Sequence, residues 1–249
     1  HPPYTKGSHD SDNDNFLDGE LVDMRENIVP ILENHGVDLV LCGHSHTYER
    51  SNLIDGHYDD SDQLQPGMVL DNGSGNYPAD CPYTKEEGIT VAHNGTVYSV
   101  VGCSGKISGV DSDWPHPVME SFTETEPGSL ILDISDKRLD GTFLTDEGVV
   151  YDHYTILKGA NKTETYEVCA GEAVTLTPSW NDDANWIPFN VTNDQYTVTA
   201  TINSTIIAES PNLCLKDTFN IVILPESQCA TQITEENQSG FDFYSNPVQ

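Results

Sequence analysis

The stretch Val40-Leu41-Cys42-Gly43-His44-Ser45-His46-Thr47-Tyr48-Glu49-Arg50 decides how this chain is read. An apolar run of strand length, residues 37–42, ends at a glycine, and two histidines separated by one residue follow at once. Side chains one residue apart on a turning loop can aim at two neighbouring ions, with Ser45 reversing direction between them and Gly43 supplying backbone freedom. Upstream, Leu21, Met24, Ile28, Ile31, Leu32 and His35 recur at helical spacing. They predict an amphipathic helix over residues 18–34, with Asp18 near its start and Gly36 just past its end. Helix, buried strand and ligand loop at the strand's carboxyl end make the arrangement in which open α/β sheets place their ligands.

Further along, residues 51–95 are polar and turn-rich and read as a long surface excursion. Short β-rich runs follow at 97–101, 129–134, 139–144 and 149–157, with Asp136-Lys137 as a hairpin turn. The first part is therefore expected to be α/β, with one sheet face built from antiparallel strands. After Lys158-Gly159 the composition shifts to Asn, Thr and Val, and helical spacing disappears. Runs at 166–176, 195–207 and 218–224 alternate like strands of a small all-β sandwich. The boundaries drawn are 1–158, 164–226, and a linker and tail over 227–249. Trp180 and Trp186 read as packing residues rather than a sugar platform.

Forty-one acidic and ten basic residues give a formal charge of −31. Such a field repels nucleic acid and anionic membrane surfaces, so nucleic-acid binding is excluded as a leading reading. It also opposes an anionic substrate unless bound cations reverse the sign locally. No run of about eighteen apolar residues occurs, so no transmembrane helix is expected. The chain opens on His1-Pro2-Pro3, and His1 is read as an internal residue of a longer protein. The six cysteines, Cys42, Cys81, Cys103, Cys169, Cys214 and Cys229, lack zinc-ribbon spacing. Cys169–Cys214 is the preferred disulfide, Cys81–Cys103 is left open, and Cys42 is read as a free thiol in the buried strand. Five sequons, at Asn94, Asn161, Asn190, Asn203 and Asn237, fit exposed loops of a secreted glycoprotein. Asp10, Asp12 and Asp14 lack the glycine and glutamate of an EF-hand and read as a solvated acidic loop.

The residue 40–50 stretch resembles the Gly-His-x-His-x-Tyr-Glu-Arg signature of purple acid phosphatases, which are calcineurin-like metallophosphoesterases. His1-Pro2-Pro3-Tyr4 resembles the single-histidine motif that precedes it in that family. The resemblance covers roughly residues 1–157. It implies a mixed-sheet α/β sandwich and two metal ions, Fe, Zn or Mn, with His1 and His44 on one and His46 on the other. His9 matches the histidine that faces the substrate, by hydrogen bonding to the phosphoryl group or donating a proton to the leaving alcohol. Tyr48, Glu49 and Arg50 would then orient or pack the ligand loop. The implied reaction is in-line attack on a phosphomonoester by metal-bound hydroxide. The family's earlier Asp-rich, Asn and Gly-Asn-His motifs have no counterpart here, so an upstream half of the same protein is the expected partner.

Residues 166–176 with Tyr196-Thr197-Val198-Thr199 and Cys214 resemble Ig-like or PKD-like modules of secreted Bacteroidetes proteins, a likeness that also supports the Cys169–Cys214 bridge. Phe243-Tyr244-Ser245-Asn246-Pro247-Val248 resembles the opening of a type nine secretion sorting domain, which implies export and surface attachment. The rival to a secreted phosphoesterase is a structural or adhesive surface protein with a degenerate phosphatase fold.

Overall fold

The computed structural model describes residues 1–13 and 18–229. The proposed sorting segment and Asp14 lie outside the described residues.

A helical run begins at Gly19 and ends at Asn34, with a wide π turn over Met24–Ile28 between α-helical Gly19–Asp23 and Val29–Asn34. Pro30 has no N–H to give its preceding turn, and the widened turn lies where that bond would fall. Gly36 ends the run at φ +67°. Leu21, Arg25, Val29 and Glu33, four residues apart, form the buried stripe, whereas Ile28 and Ile31 are exposed. The buried face is thus rotated from the apolar periodicity, because two charged side chains tie surrounding loops to the helix. Glu33 accepts from Gly56 N at 2.9 Å and from the hydroxyls of Tyr58 (2.7 Å) and Tyr98 (2.8 Å). Arg25 donates to the carbonyl of Ser11 and to Asp60.

In chain order the first ten strands are β1 (Leu39–Cys42), β2 (Tyr48–Ser51), β3 (Leu53–Ile54), β4 (Val69–Asp71), β5 (Tyr83–Lys85), β6 (Val97–Val101), β7 (Met119–Thr123), β8 (Gly128–Ser135), β9 (Arg138–Thr145) and β10 (Val150–Lys158). One sheet has the order β1-β6-β2-β7 and a second β5-β10-β9-β8. Each is mixed: β1–β6 and β5–β10 run parallel, the remaining pairs antiparallel. Asp136 takes φ +50° in the two-residue turn between β8 and β9, as the sequence leads one to expect. Residues 51–95 are not a simple surface excursion. They contribute β3, β4 and β5, and Leu53, Ile54 and Tyr83 are buried in the core.

The later strands are β11 (Thr163–Val168), β12 (Ala173–Leu176), β13 (Ala184–Ile187), β14 (Val191–Asn193), β15 (Tyr196–Thr199), β16 (Ser204–Glu209) and β17 (Lys216–Ile223). They form a five-stranded sheet, β11-β17-β16-β13-β14, and a two-stranded one, β12-β15. The runs at 166–176 and 195–207 each break into two strands that enter different sheets. Trp180 and Trp186 are fully buried between them with Leu176, Phe219 and Ile221. Tyr77 and Leu157, from the first part of the chain, join the same core.

The disulfides differ from the expected pairing. Cys81 bonds Cys214 and Cys169 bonds Cys229, with Cα–Cα distances of 5.3 and 5.7 Å. Cys214 is drawn to the 81 loop by Asn212, whose amide donates to the carbonyls of Pro78 (3.2 Å) and Asp80 (3.0 Å). Cys169 instead meets the short helix Glu226–Cys229 that follows β17, the strand paired in parallel with β11. Cys42 and Cys103 are free thiols, which removes the Cys81–Cys103 alternative.

Candidate functional site

Strands β1 and β2 lie on opposite sides of β6, so the five residues joining them must cross the end of β6. That crossing is the histidine loop. His44, rather than Gly43, carries the left-handed backbone, at φ +70°, and Ser45 N closes a tight turn on Gly43 O at 2.9 Å. Gly102, just past β6, lies directly under the loop: its N–H donates to Thr47 O at 3.1 Å, and a Cβ there would fall 1.8 Å from Ser45 O. Sequence reading missed Gly102, because its need arises only once β6 is known to run beneath the loop.

Three histidine rings converge beside this crossing. His1 and His44 meet edge to face with centroids 4.3 Å apart, and His9 stacks on His44 at 4.0 Å with the planes 23° apart. Partial desolvation together with the neighbouring His9 lowers the His44 pKa, favouring the neutral ring that ligates metals. His46 stands separately. Its backbone N–H donates to Ser8 Oγ at 3.0 Å and its Nδ1 is 2.8 Å from Ser108 Oγ, and among the described residues its Nε2 has no hydrogen-bond partner. His9 Nδ1 is held 2.8 Å from Asp18 Oδ1.

Beneath the rings the loops are tied by buried polar groups. Glu49 Oε1 accepts from Thr5 Oγ1 (2.5 Å), on the segment carrying His1 and His9, and from Thr47 Oγ1 (2.7 Å), on the His44–His46 loop. Burial raises the Glu49 pKa. Lys6 is buried and reaches Asp10 (3.1 Å), Asp12 (3.0 Å) and Asp113 (2.7 Å). Asp10 and Asp12 are therefore not a solvated acidic loop but partners that neutralise a buried lysine. Tyr48 and Arg50 are buried and both bond Asp152.

Imidazoles with a second ring nitrogen fixed by a protein partner are suitable ligands for zinc or iron. His46 meets that description through Ser108, and the rings of His1 and His44 make no hydrogen bond to a described residue. Among the described residues, no group of three metal-binding side chains that includes His1, His44 or His46 has all its donor atoms within 4.8 Å. His1 and His44 lie together and His46 stands apart, so these side chains alone do not make a closed ligand set.

No family model matches the chain. It is 27% identical over 134 residues to purple acid phosphatase 19 of Arabidopsis thaliana, a match covering 52% of this chain and 28% of that protein. Among solved structures it matches the purple acid phosphatase PPD1 of yellow lupin, Lupinus luteus, with a TM-score of 0.36 and 20% identity over 55% of this chain and 19% of the other. The chain thus spans about a quarter of the length of the curated relative it matches. The sequence match to the Arabidopsis protein supports a phosphoesterase-like part of this chain.

Proposed function

We propose that this chain is the histidine-bearing part of a metal-dependent phosphoesterase that hydrolyses phosphomonoesters outside the cell or at its surface. The observation that carries the proposal is the convergence of His1, His9 and His44 at the β1–β2 crossing, with His46 on the same loop oriented separately by Ser108. His1 and His44 would hold one ion of Fe, Zn or Mn and His46 a second. Carboxylate and amide ligands from the upstream part of the protein complete both. When bound, such ions would supply positive charge toward the phosphoryl oxygens and acidify water.

In this reading His9 faces the substrate, held by Asp18 at Nδ1 and by the His44 ring on one face. Glu49 keeps the two histidine-bearing segments in register through Thr5 and Thr47. Positive ions at the site are also what admits a phosphate ester to a chain of charge −31. Residues 164–226 serve as an Ig-like spacer, and residues 243–248 begin a sorting signal for surface attachment.

The test is hydrolysis of a panel of phosphomonoesters by the native protein and by His44→Ala and His46→Ala variants. Turnover that falls at least ~100-fold in both variants supports the assignment. Turnover indifferent to both substitutions rejects it.

A further inference from the structure

We infer that Asp18 is the positioning residue of His9, so that a carboxylate–imidazole pair, rather than a lone histidine, is presented to substrate. For its substrate the inference rests on the phosphoesterase reading; for its geometry it does not.

Asp18 immediately precedes the helix that starts at Gly19, a place where an aspartate ordinarily caps the helix with its own side chain. Here it makes no side-chain cap bond. Its carboxylate is turned instead to His9, 2.8 Å from Nδ1, and the residue is only 8% exposed. The backbone of Asp18 is fixed independently, since its carbonyl accepts from Leu21 N at 2.9 Å. The carboxylate is therefore mounted on the end of a helix, while His9 comes from a loop whose ring needs an external hold.

An ionised carboxylate accepts hydrogen bonds and cannot donate them, so the hydrogen between the two groups belongs to His9 Nδ1. That choice fixes the ring's orientation and turns Nε2 outward, where it donates to a phosphoryl oxygen once it too carries a proton. The remaining freedom, rotation of the ring about that bond, is restricted by stacking on His44 at 4.0 Å. One partner sets the edge and the other sets the plane, and His44 in turn packs against His1.

Two readouts test this. The first is the ring nitrogen spectrum of His9 by NMR in the wild-type chain, in Asp18→Leu and in Asp18→Asn. The wild type is expected to carry its hydrogen on Nδ1, protected from exchange. Asp18→Asn, which keeps an acceptor in place, is expected to preserve that pattern, and Asp18→Leu to lose it. The second is a double-mutant cycle on p-nitrophenyl phosphate hydrolysis by the native protein. Asp18→Leu is expected to lower kcat ~10–100-fold, with Asp18→Asn recovering much of it, and to add nothing in a His9→Ala background.

An unchanged ring spectrum in Asp18→Leu, or losses that multiply in the double variant, overturns the inference. If the wild type hydrolyses no phosphomonoester, the phosphoesterase reading fails, and the ring spectra still decide whether Asp18 positions His9.

Discussion

The guanidinium of Arg50 and the carboxylate of Asp152 form a two-point ion pair inside the protein, with Nε 2.6 Å from Oδ2 and Nη2 3.0 Å from Oδ1. Arg50 is the last residue of the histidine-loop signature, and Asp152 lies on β10, in the other sheet of the first part. Tyr48 OH donates to the same carboxylate at 2.7 Å, and Tyr154 lies 4.8 Å beneath the guanidinium carbon. The strand leaving the histidine loop is thereby fastened to the opposite sheet.

Removing one partner of such a pair leaves a buried charge without compensation, which costs about 3–5 kcal/mol. Asp152→Ala should therefore lower unfolding stability by that order in a urea titration. A change below about 1 kcal/mol would mean that the pair is not buried as described.

Gly102 is expected to be the least tolerant position near the site. A methyl group at residue 102 would strike the carbonyl of Ser45 at 1.8 Å, and backbone cannot yield as a flexible side chain can. Gly102→Ala should cost at least ~1–3 kcal/mol and shift the His46 ring resonances by moving the loop. Wild-type stability together with unchanged His46 resonances would contradict the β6 crossing.

Stability should fall on mild acidification. His116 is fully buried, and burial pushes its pKa down to about 3, while burial and the Arg25 charge lower that of His57. The unfolded chain takes up a proton near pH 6.5, whereas folded His116 does so only near 3, so the unfolded state binds more protons between these values. The contribution is therefore complete above pH 6.5 and is lost as pH falls through the window, at up to ~1.4 kcal/mol per unit per histidine. Urea midpoints of wild type and His116→Gln at several pH values between 4 and 7.5 measure it, with a shallower slope expected for the variant. Equal slopes would place His116 in water.

The disulfide pattern gives a direct chemical check. Non-reducing peptide mapping should recover Cys81 linked to Cys214 and Cys169 linked to Cys229. Cys103 is 1% exposed and should alkylate only after denaturation. A Cys169–Cys214 peptide would refute the path drawn for residues 210–229.

What could be read from residues alone follows from the range of the forces involved. The helix from Gly19 to Asn34, its stop at Gly36, the Asp136-Lys137 turn and strands β6, β8, β9 and β10 depend on local spacing, and each was legible. The histidine loop was legible because one motif holds both its histidines. Asp152, Gly102 and Ser108 were not, since each acts on the loop from 50 or more residues away in sequence. The buried stripe of the helix misled the apolar periodicity because Arg25 and Glu33 occupy it as paired groups. Cysteine connectivity was set by Asn212 anchoring the 81 loop and by the helix Glu226–Cys229, neither of which has a local signature.

The most direct test of the central claim is elemental analysis of the native protein, with phosphomonoesterase activity recorded on the same sample before and after chelation. The account predicts about two transition-metal ions per chain and activity that disappears on chelation and returns with added metal. Full phosphomonoesterase activity in metal-free protein, or a protein that neither holds metal nor hydrolyses any phosphomonoester, would contradict it.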